Sequence, residues 1–407
     1  MLTTAFLFVF LASALSLDPE VHMTTPEIAN HWGYPTQTVF VTTHDGYVIE
    51  LHHIPYGKLS GPPKANETRP VVFLQHGLDC SSSNWVVNMP DQSAAFMFAD
   101  SGYDVWLGNV RGNTYGKRHK SMSIHSRKFW QFSFDEHVKY DLSAMIDTVL
   151  NLTQQKSIYY VGHSQGTLTM FAKLSDDPAF HHKIKKFFAL APIATVRHIK
   201  GLFDVVAHTL YPVINFFTAI FGSGEFLPSN WLMKFVASTI CRGQIIGQEI
   251  CNNVMFLIAG PDSKQLNVTR TPVYVAHTPA GTSTQNALHW AQMVLSGKMQ
   301  KYDYQLSWIN QKHYGMSKPP TYDITNVNVD TYLYWSDYDW LADSLDIREH
   351  ILSNLNPKVL KESNHLNNFN HMDFIWGWMQ RRRSTSRLLR LSMRILRRAV
   401  LLSIISL

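Results

Sequence analysis

The pattern of apolar and polar side chains in the first half of the chain is typical of a mostly parallel sheet. Residues 38–43 and 47–51 alternate apolar and polar positions on either side of a turn at Gly46, which predicts an opening hairpin. Further strands are expected at short, continuous apolar runs, because these suit a sheet covered on both faces. The runs are 71–74, 103–107, 158–161 and 187–192. Helical patterns at 140–150 and 167–174 alternate with the later runs, so the order of elements predicts an α/β fold.

The pattern changes after Ile193, where strand signals become rare. Residues 194–314 contain aromatic-rich segments with helical spacing, and a strand pattern returns at 329–335. The helical segments are 202–221, 231–240 and 285–295. An insertion of this length predicts a mainly helical cap, or lid, over an apolar pocket; the alternative is that these helices complete the core. The predicted division is a signal peptide at 1–16, a first core part at 17–193, the cap at 194–314, a second core part at 315–377 and a tail at 378–407.

A tight turn is expected between the strand at 158–161 and the helix that follows. Residues 162–166 read Gly-His-Ser-Gln-Gly and match the G-x-S-x-G motif. Its two glycines allow a turn so tight that the hydroxyl of Ser164 projects from the sheet edge. The motif predicts Ser164 as a nucleophile, and the alternative is an ordinary turn serine.

A second loop follows the strand at 71–74 directly and begins His76-Gly77-Leu78. In hydrolases with this pattern, an N–H group from such a loop joins the N–H of the residue after the nucleophile to form an oxyanion hole. The backbone N–H groups of Leu78 and Gln165 are therefore the predicted donors. The alternative for the first loop is a plain glycine turn.

Acidic and histidine residues follow the strand at 329–335. A catalytic acid is expected on the loop just past a strand, and a catalytic base further along the chain. The candidate acids are Asp337, Asp339 and Asp343, with Asp346 expected in a helix, and the candidate bases are His365 and His371. The chain order of serine, acid and histidine is that of α/β hydrolases.

Charge and motifs exclude several other classes of function. The formal net charge is +6, but from Arg381 onward the chain has eight arginines and no acidic residue. The rest of the chain therefore has no basic excess, and a nucleic-acid surface is not expected. No metalloprotease, paired C-x-x-C, P-loop or strand-coupled dinucleotide motif occurs, so neither a metal nor a cofactor is indicated.

Several features indicate a secretory route. The first sixteen residues lack charge and contain an apolar run at 5–11 followed by small residues, which resembles a signal peptide. Three N-x-S/T sequons are consistent with a secreted or lysosomal protein, and they begin at Asn66, Asn151 and Asn267. Of the three cysteines, Cys241 and Cys251 could close one small loop, which would leave Cys80 as an odd thiol.

Nine stretches along the mature chain carry a family resemblance. They are T-T-H-D-G-Y-V-I-E-L-H-H-I-P-Y-G (42–57), V-V-F-L-Q-H-G-L (71–78), D-V-W-L-G-N-V-R-G-N-T-Y (104–115), F-S-F-D-E-H-V-K-Y-D-L (132–142), Y-V-G-H-S-Q-G-T (160–167), A-L-A-P-I-A-T-V (189–196), P-A-G-T-S-T-Q-N (279–286), D-W-L-A-D (339–343) and N-H-M-D-F-I-W-G (370–377). The sequence resembles the acid lipase family, that of gastric lipase and lysosomal acid lipase. This resemblance implies an α/β-hydrolase fold with a cap.

The resemblance also implies roles for individual residues. It implies that Ser164 is the nucleophile, Asp339 the acid and His371 the base, with Asp343 as a rival acid. By the same resemblance, Leu78 and Gln165 carry the oxyanion donors, and Cys241 and Cys251 form the cap disulfide. The substrates that it implies are long-chain acylglycerols or sterol esters, met at a lipid–water interface.

Three departures from the family pattern stand out. The span from Asp339 to His371 is a few residues longer than in the family, within residues 361–370, and this added length could displace the loop that carries the histidine. The family's third cysteine lies in the cap, where this chain has residues 257–260 without one, and Cys80 instead lies beside the oxyanion loop. The family's C-terminal helix is replaced from Trp378 by an arginine-rich sequence. Its arginines recur every three or four residues, which predicts an interfacial membrane-binding helix; the alternative is a variant terminus.

The leading hypothesis is thus a secreted or lysosomal lipid ester hydrolase with a Ser-His-Asp mechanism. One alternative is a lipid-binding or carrier protein on a lipase scaffold that has lost turnover. Another is an esterase for soluble esters, whose rate would not rise when the substrate passes from monomers to droplets.

Overall fold

A computed structural model of the chain describes residues 18–227 and 246–377. Four of the sequence predictions fall on residues outside these ranges. They are the signal peptide at 1–16, the cap helix at 231–240, Cys241 and the arginine-rich tail at 378–407.

One large sheet forms the centre of the molecule. The strands are β1 Gln37–Thr42, β2 Tyr47–Ile54, β3 Val71–Gln75, β4 Asp104–Leu107, β5 Arg118–His119, β6 Ile158–His163, β7 Ile184–Leu190, β8 Glu225–Phe226, β9 Thr282–Ser283, β10 Thr331–Trp335 and β11 Leu360–His365. Nine of these strands form the large sheet, in the spatial order β1-β2-β4-β3-β6-β7-β10-β11 with β5 paired to β2, and β8 and β9 form a separate two-stranded sheet. The six strands from β4 to β11 in this order are parallel, and β1 and β2 form an antiparallel hairpin.

Helices cover the sheet and fill the long connection between β7 and β10. They are α1 Thr25–His31, α2 Ala94–Asp100, α3 Phe134–Glu136, α4 Leu142–Thr153, α5 Gln165–Asp176, α6 Leu202–Phe221, α7 Ile246–Ala259, α8 Thr271–His277, α9 Thr284–Ser296, α10 Ser307–Tyr314, α11 Ser344–Asp346 and α12 Asp373–Trp376. A π-helical segment, His137–Asp141, joins α3 to α4, so the helix predicted at 140–150 begins several residues earlier. Within the described residues, no helix is both long and apolar enough to cross a lipid bilayer.

The core lies where the parallel strands pack against helices. Every residue of β3, β6 and β10 is buried, as is every residue of α5 from Gln165 to Ser175. This burial explains the continuous apolar runs of the sequence, and the predicted α/β fold with a mostly parallel sheet is confirmed. Because the strands from β4 to β11 run in the same direction, the loops that follow β3, β6, β10 and β11 meet at one edge of the sheet.

In its described residues, the segment between β7 and β10 is mainly helical. Its helices α6 and α9 pack against each other, and the short strands β8 and β9 pair with each other. Cys251 on α7 is disulfide-bonded, whereas Cys80 is a free and buried thiol. The pairing of Cys251 with Cys241 stays a prediction, because Cys241 lies outside the described residues.

Candidate active site

Ser164 occupies a strained turn between β6 and α5. Its backbone has φ 54° and ψ −120°, a conformation that residues with side chains rarely adopt. A Cβ atom at Gly162 would lie 2.8 Å from the Gly166 carbonyl carbon, and one at Gly166 would lie 2.5 Å from the Gln75 carbonyl oxygen. Both motif glycines are therefore required by close backbone contacts, and the turn has the geometry of a nucleophile elbow.

His371 and Asp339 form a buried hydrogen-bonded pair. The Nδ1–H of His371 donates to Asp339, and Nδ1 lies 2.9 Å from each carboxylate oxygen. Asp339 Oδ1 also accepts the backbone N–H groups of Leu341, at 2.9 Å, and Ala342, at 2.8 Å. These bonds fix the carboxylate and leave Nε2 as the histidine nitrogen able to accept a proton.

The loop that carries His371 is fixed against the nucleophile elbow. His163, immediately before Ser164, donates from Nε2 to the His371 carbonyl oxygen at 3.0 Å. Burial, together with the nearby imidazoles of His371 and His76, holds the pKa of His163 well below its usual range, so its ring is neutral. The backbone N–H of His371 donates to the carbonyl of Ala259, at the end of α7.

The described hydrogen bonds do not include one between the Ser164 hydroxyl and the His371 ring. In enzymes without bound substrate this bond is often long or poorly aligned, and it tightens when the substrate binds. Sequence reasoning did not identify the role of His163, although the residue lies within the G-x-S-x-G motif.

The rival candidates have other partners. Asp343 accepts the Leu345 N–H at the start of α11 and forms an ion pair with Lys200, with 2.5 Å between Oδ2 and Nζ. Asp337 and His365 pair with each other at 2.8 Å on the surface. Asp346, which lies in α11 as predicted, accepts hydrogen bonds from the loop after β7. Of the candidates, only Asp339 and His371 are joined in a buried pair.

The predicted oxyanion donors are the backbone N–H groups of Leu78 and Gln165. In residues 18–227 and 246–377, neither the Leu78 nor the Gln165 N–H donates to another protein group. The first loop approaches the nucleophile closely, since a Cβ atom at Gly77 would lie 3.4 Å from Ser164 Oγ. Burial lowers the pKa of His76 to about 4, so this ring is neutral when Nδ1–H donates to the Gly77 carbonyl at 2.8 Å. Free donors in this position suit a developing oxyanion.

An apolar pocket of about 60 Å³ adjoins the first of these loops. It is lined by Leu78, by side chains of α6 such as Phe203 and by side chains of α9 such as Leu288 and Trp290. Within the described part of the chain, no group of three or more histidine, cysteine, aspartate or glutamate side chains is arranged to hold a metal ion. Because its lining is apolar, the pocket suits an apolar group bound beside the Leu78 loop.

A serine on a strained strand–helix turn, with an aspartate–histidine pair on later strand ends, is the arrangement of an α/β hydrolase. A family model described as "alpha/beta hydrolase fold" matches residues 70–377, and one described as "Partial alpha/beta-hydrolase lipase region" matches residues 25–89.

Curated relatives define the family more closely. Lipase lipl-1 of Caenorhabditis elegans is 56% identical over 88% of this chain and 89% of its own length. Human gastric triacylglycerol lipase is 44% identical over 88% of each chain. Human lysosomal acid lipase/cholesteryl ester hydrolase is 42% identical over 89% of this chain and 88% of its own. The chain belongs to the acid lipase family, whose members are lipid ester hydrolases, as the sequence motifs predict.

Solved structures agree on the fold. A soluble variant of monoglyceride lipase from Saccharomyces cerevisiae superimposes with a TM-score of 0.52 at 12% identity, over 92% of this chain and 96% of its own. A lipase-like protein from Sulfolobus solfataricus gives a TM-score of 0.52 at 13% identity, over 85% of this chain and 90% of its own. At these identities the likeness concerns the α/β-hydrolase fold alone.

Proposed function

We propose that this chain releases fatty acids from acylglycerols or sterol esters through an acyl-enzyme formed on Ser164. The observation that carries the proposal is the buried Asp339–His371 pair, held against the strained serine turn by the bond from His163 to the His371 carbonyl. The strained turn places the hydroxyl at the end of β6, and the pair supplies a base whose tautomer is fixed.

The reaction follows from these positions. Ser164 Oγ attacks the ester carbonyl while His371 Nε2 takes the hydroxyl proton, and Asp339 stabilises the imidazolium that forms. The N–H groups of Leu78 and Gln165 donate to the developing oxyanion. His371 then gives its proton to the leaving alcohol. A water molecule, activated by His371 in the same way, releases the fatty acid from Ser164.

The lipid character of the substrate is supported by two observations. Two of the relatives named above are a triacylglycerol lipase and a lysosomal acid lipase/cholesteryl ester hydrolase, and the pocket beside Leu78 is apolar. Pockets that enclose drug-sized ligands measure roughly 300–1,000 Å³, whereas this one measures about 60 Å³. We therefore assign residues 194–314 to a cap whose helices α6 and α9 separate to admit a long acyl chain.

The remaining features concern the compartment. A gastric and a lysosomal relative support a secreted or lysosomal location. For the proposed glycosylation, Asn66 and Asn151 are exposed and Asn267 is half-buried. The cap disulfide between Cys241 and Cys251 and a peripheral membrane contact through residues 378–407 are proposed from the sequence.

The nucleophile can be tested directly. Ester hydrolysis by the purified chain should disappear in Ser164→Ala and persist in Ser123→Ala, which removes an exposed loop hydroxyl. A fluorophosphonate should label the wild type on the peptide that contains Ser164, because the reagent needs an activated hydroxyl. Hydrolysis that survives Ser164→Ala would overturn the assignment. An inert wild type would favour the carrier, and a rate that does not rise with droplet formation would favour the soluble-ester esterase.

A further inference from the structure

Both loops of the proposed oxyanion hole are hydrogen-bonded to one distant stretch of the chain. This stretch, residues 280–290, consists of the end of the loop after α8, strand β9 and the first half of α9. It contains part of the P-A-G-T-S-T-Q-N motif, to which the proposed reaction assigns no task.

The side chain of Gln165 is held by two donors from this stretch. Its Oε1 accepts the Trp290 indole N–H at 2.6 Å and the Asn286 amide at 3.0 Å. An indole nitrogen can only donate, so the Gln165 atom that it contacts must be the amide oxygen. All three side chains are buried, where a hydrogen bond resists competition from water. Gln165 is also the residue whose backbone N–H is proposed to donate to the developing oxyanion.

The other oxyanion loop is held through the residue after Leu78. The carbonyl of Asp79 accepts the Ala280 N–H at 2.7 Å, and its carboxylate accepts the Gly281 N–H at 2.8 Å. Asp79 has φ 56°, so these bonds hold a backbone conformation that an aspartate adopts at some cost. One stretch thus fixes the residues that carry or adjoin both donors.

The same stretch also reaches the apolar pocket. Trp290 and Leu78 both line the pocket, while the Trp290 N–H donates to Gln165. A side chain that lines the apolar pocket is therefore also a hydrogen-bond partner of Gln165.

We propose that Asn286 and Trp290 are positioning residues of the oxyanion hole. Their hydrogen bonds to the Gln165 side chain hold the Gln165 N–H in line with the reacting carbonyl. The inference rests on the proposed function, because it requires an oxyanion at Ser164. A donor placed for the transition state raises kcat without strengthening ground-state binding. Loss of the hydrogen bonds to Gln165 should therefore lower kcat and leave KM for a short ester nearly unchanged.

Two substitutions remove this interaction, one at the acceptor and one at a donor. Gln165→Met deletes the acceptor but keeps the backbone N–H, and Trp290→Phe deletes the indole N–H but keeps an aromatic ring in the pocket. Each is expected to lower kcat on a short, soluble ester by about tenfold or more, since small misplacements of catalytic groups have effects of this size. The double variant should be no slower than the slower single variant, because both changes break the same interaction.

A second readout separates positioning from general damage. A trifluoromethyl ketone forms a tetrahedral adduct with the serine, so its inhibition constant should rise by the same factor as kcat falls. Trp32→Phe is the matched control, because it removes an indole N–H bond of 2.9 Å, to Glu20, that involves neither oxyanion loop, and it should leave kcat unchanged.

Three results would overturn the inference: kcat within twofold of the wild type in both single variants, losses that multiply in the double variant, or unchanged inhibition by the ketone while kcat falls. Failure of the proposed function is distinguishable, since it appears as hydrolysis retained by Ser164→Ala.

Discussion

Asp339 and Asp343 lie four residues apart, yet their carboxylates face different partners. Asp339 binds His371, whereas Asp343 caps α11 and pairs with Lys200. We expect Asp339→Asn to lower kcat by about 10³- to 10⁴-fold, because an amide neither fixes the tautomer nor stabilises the imidazolium.

The matched variant is Asp343→Asn. It should keep kcat near the wild-type value and lose about 1 kcal/mol of stability or less, because it removes the ion pair with Lys200 while asparagine caps a helix about as well as aspartate does. Steady-state rates and urea unfolding of both variants check the assignment. If Asp343→Asn were inactive and Asp339→Asn active, the catalytic acid would be Asp343.

Asp373 makes stability depend on pH. Burial, together with the charges of Asp262 and Asp339, raises the pKa of its carboxyl from 3.8 to about 7, although Ser263 and the Asn370 N–H oppose this rise. Between these pH values the folded chain keeps a proton that the unfolded chain releases. The contribution of Asp373 is therefore fully present below pH 4 and is lost as the pH rises towards 7.

Asp373→Asn should remove this loss. Its unfolding free energy relative to the wild type should rise between pH 4 and pH 7, by on the order of 2–4 kcal/mol, and stay constant above that range. Urea unfolding at several pH values measures the difference. Asp323→Asn is the control, because hydrogen bonds from Thr325 lower the pKa of that exposed carboxyl, and this variant should gain nothing over the same range. A flat difference for Asp373→Asn would contradict the prediction.

At the scale of elements, α6 is apolar on two faces. Phe203 and Ile214 line the pocket, while Val213, Phe216 and Ile220 are more than half exposed. A helix with two apolar faces is expected where both faces are covered by other apolar groups. A lipid surface could cover the exposed face of α6, because it is apolar.

We expect a variant carrying both Val213→Ser and Phe216→Ser to hydrolyse emulsified triacylglycerol about fivefold or more slowly, because it loses apolar area at the interface. Its rate on a soluble short ester should not change. Leu59→Ser, at a loop position that is 84% exposed, is the control for loss of a surface apolar side chain. Equal losses on both substrates would point to damage within the pocket instead.

The elements also explain which features the sequence could predict. The strands β3, β6 and β10 were predictable because burial on both faces imposes uninterrupted apolar runs. The early start of the helix that ends in α4 was missed, since a π-helical segment interrupts the regular spacing. The strands β8 and β9 have two residues each, so their pairing depends on the fold and leaves no local pattern.

The candidate site divides in the same way. Ser164 follows from a local motif, and His371 and Asp339 follow from loop position together with family resemblance. The hydrogen bond from Trp290 to Gln165 joins residues that lie 125 positions apart in the sequence. No spacing rule connects such positions, and only the folded chain brings them together.

At the scale of the whole molecule, a buried arginine joins three parts of the core. Arg111, after β4, donates two hydrogen bonds to Asp45, at 2.6 and 2.9 Å, in the turn of the opening hairpin. Its backbone N–H, Nε and Nη2 donate to Asp141, at the end of the π-helical segment. Arg111 and Asp141 are almost completely buried. The Arg111–Asp141 ion pair is thus shielded from water, and both pairs connect segments that are distant in sequence.

Removal of this arginine should destabilise the fold strongly. Arg111→Met leaves the Asp141 carboxylate buried without a counter-charge, and such losses cost about 3–5 kcal/mol. In the wild type, burial raises the pKa of Asp141 and the positive charge of Arg111 opposes this rise. Without Arg111 the pKa of Asp141 should therefore rise further. The carboxyl then keeps its proton in the folded variant at mildly acid pH. The destabilisation should therefore be smaller near pH 4 than at pH 7, where ionisation is imposed on the buried group.

Urea unfolding of Arg111→Met and the wild type at both pH values measures this difference. Arg348→Met, which breaks a half-exposed pair with Asp337, should cost less than about 1 kcal/mol at either pH. Similar costs for the two variants would mean that water reaches Asp141. A cost for Arg111→Met that grows towards acid pH would mean that the lost interaction is not the one with a buried carboxylate.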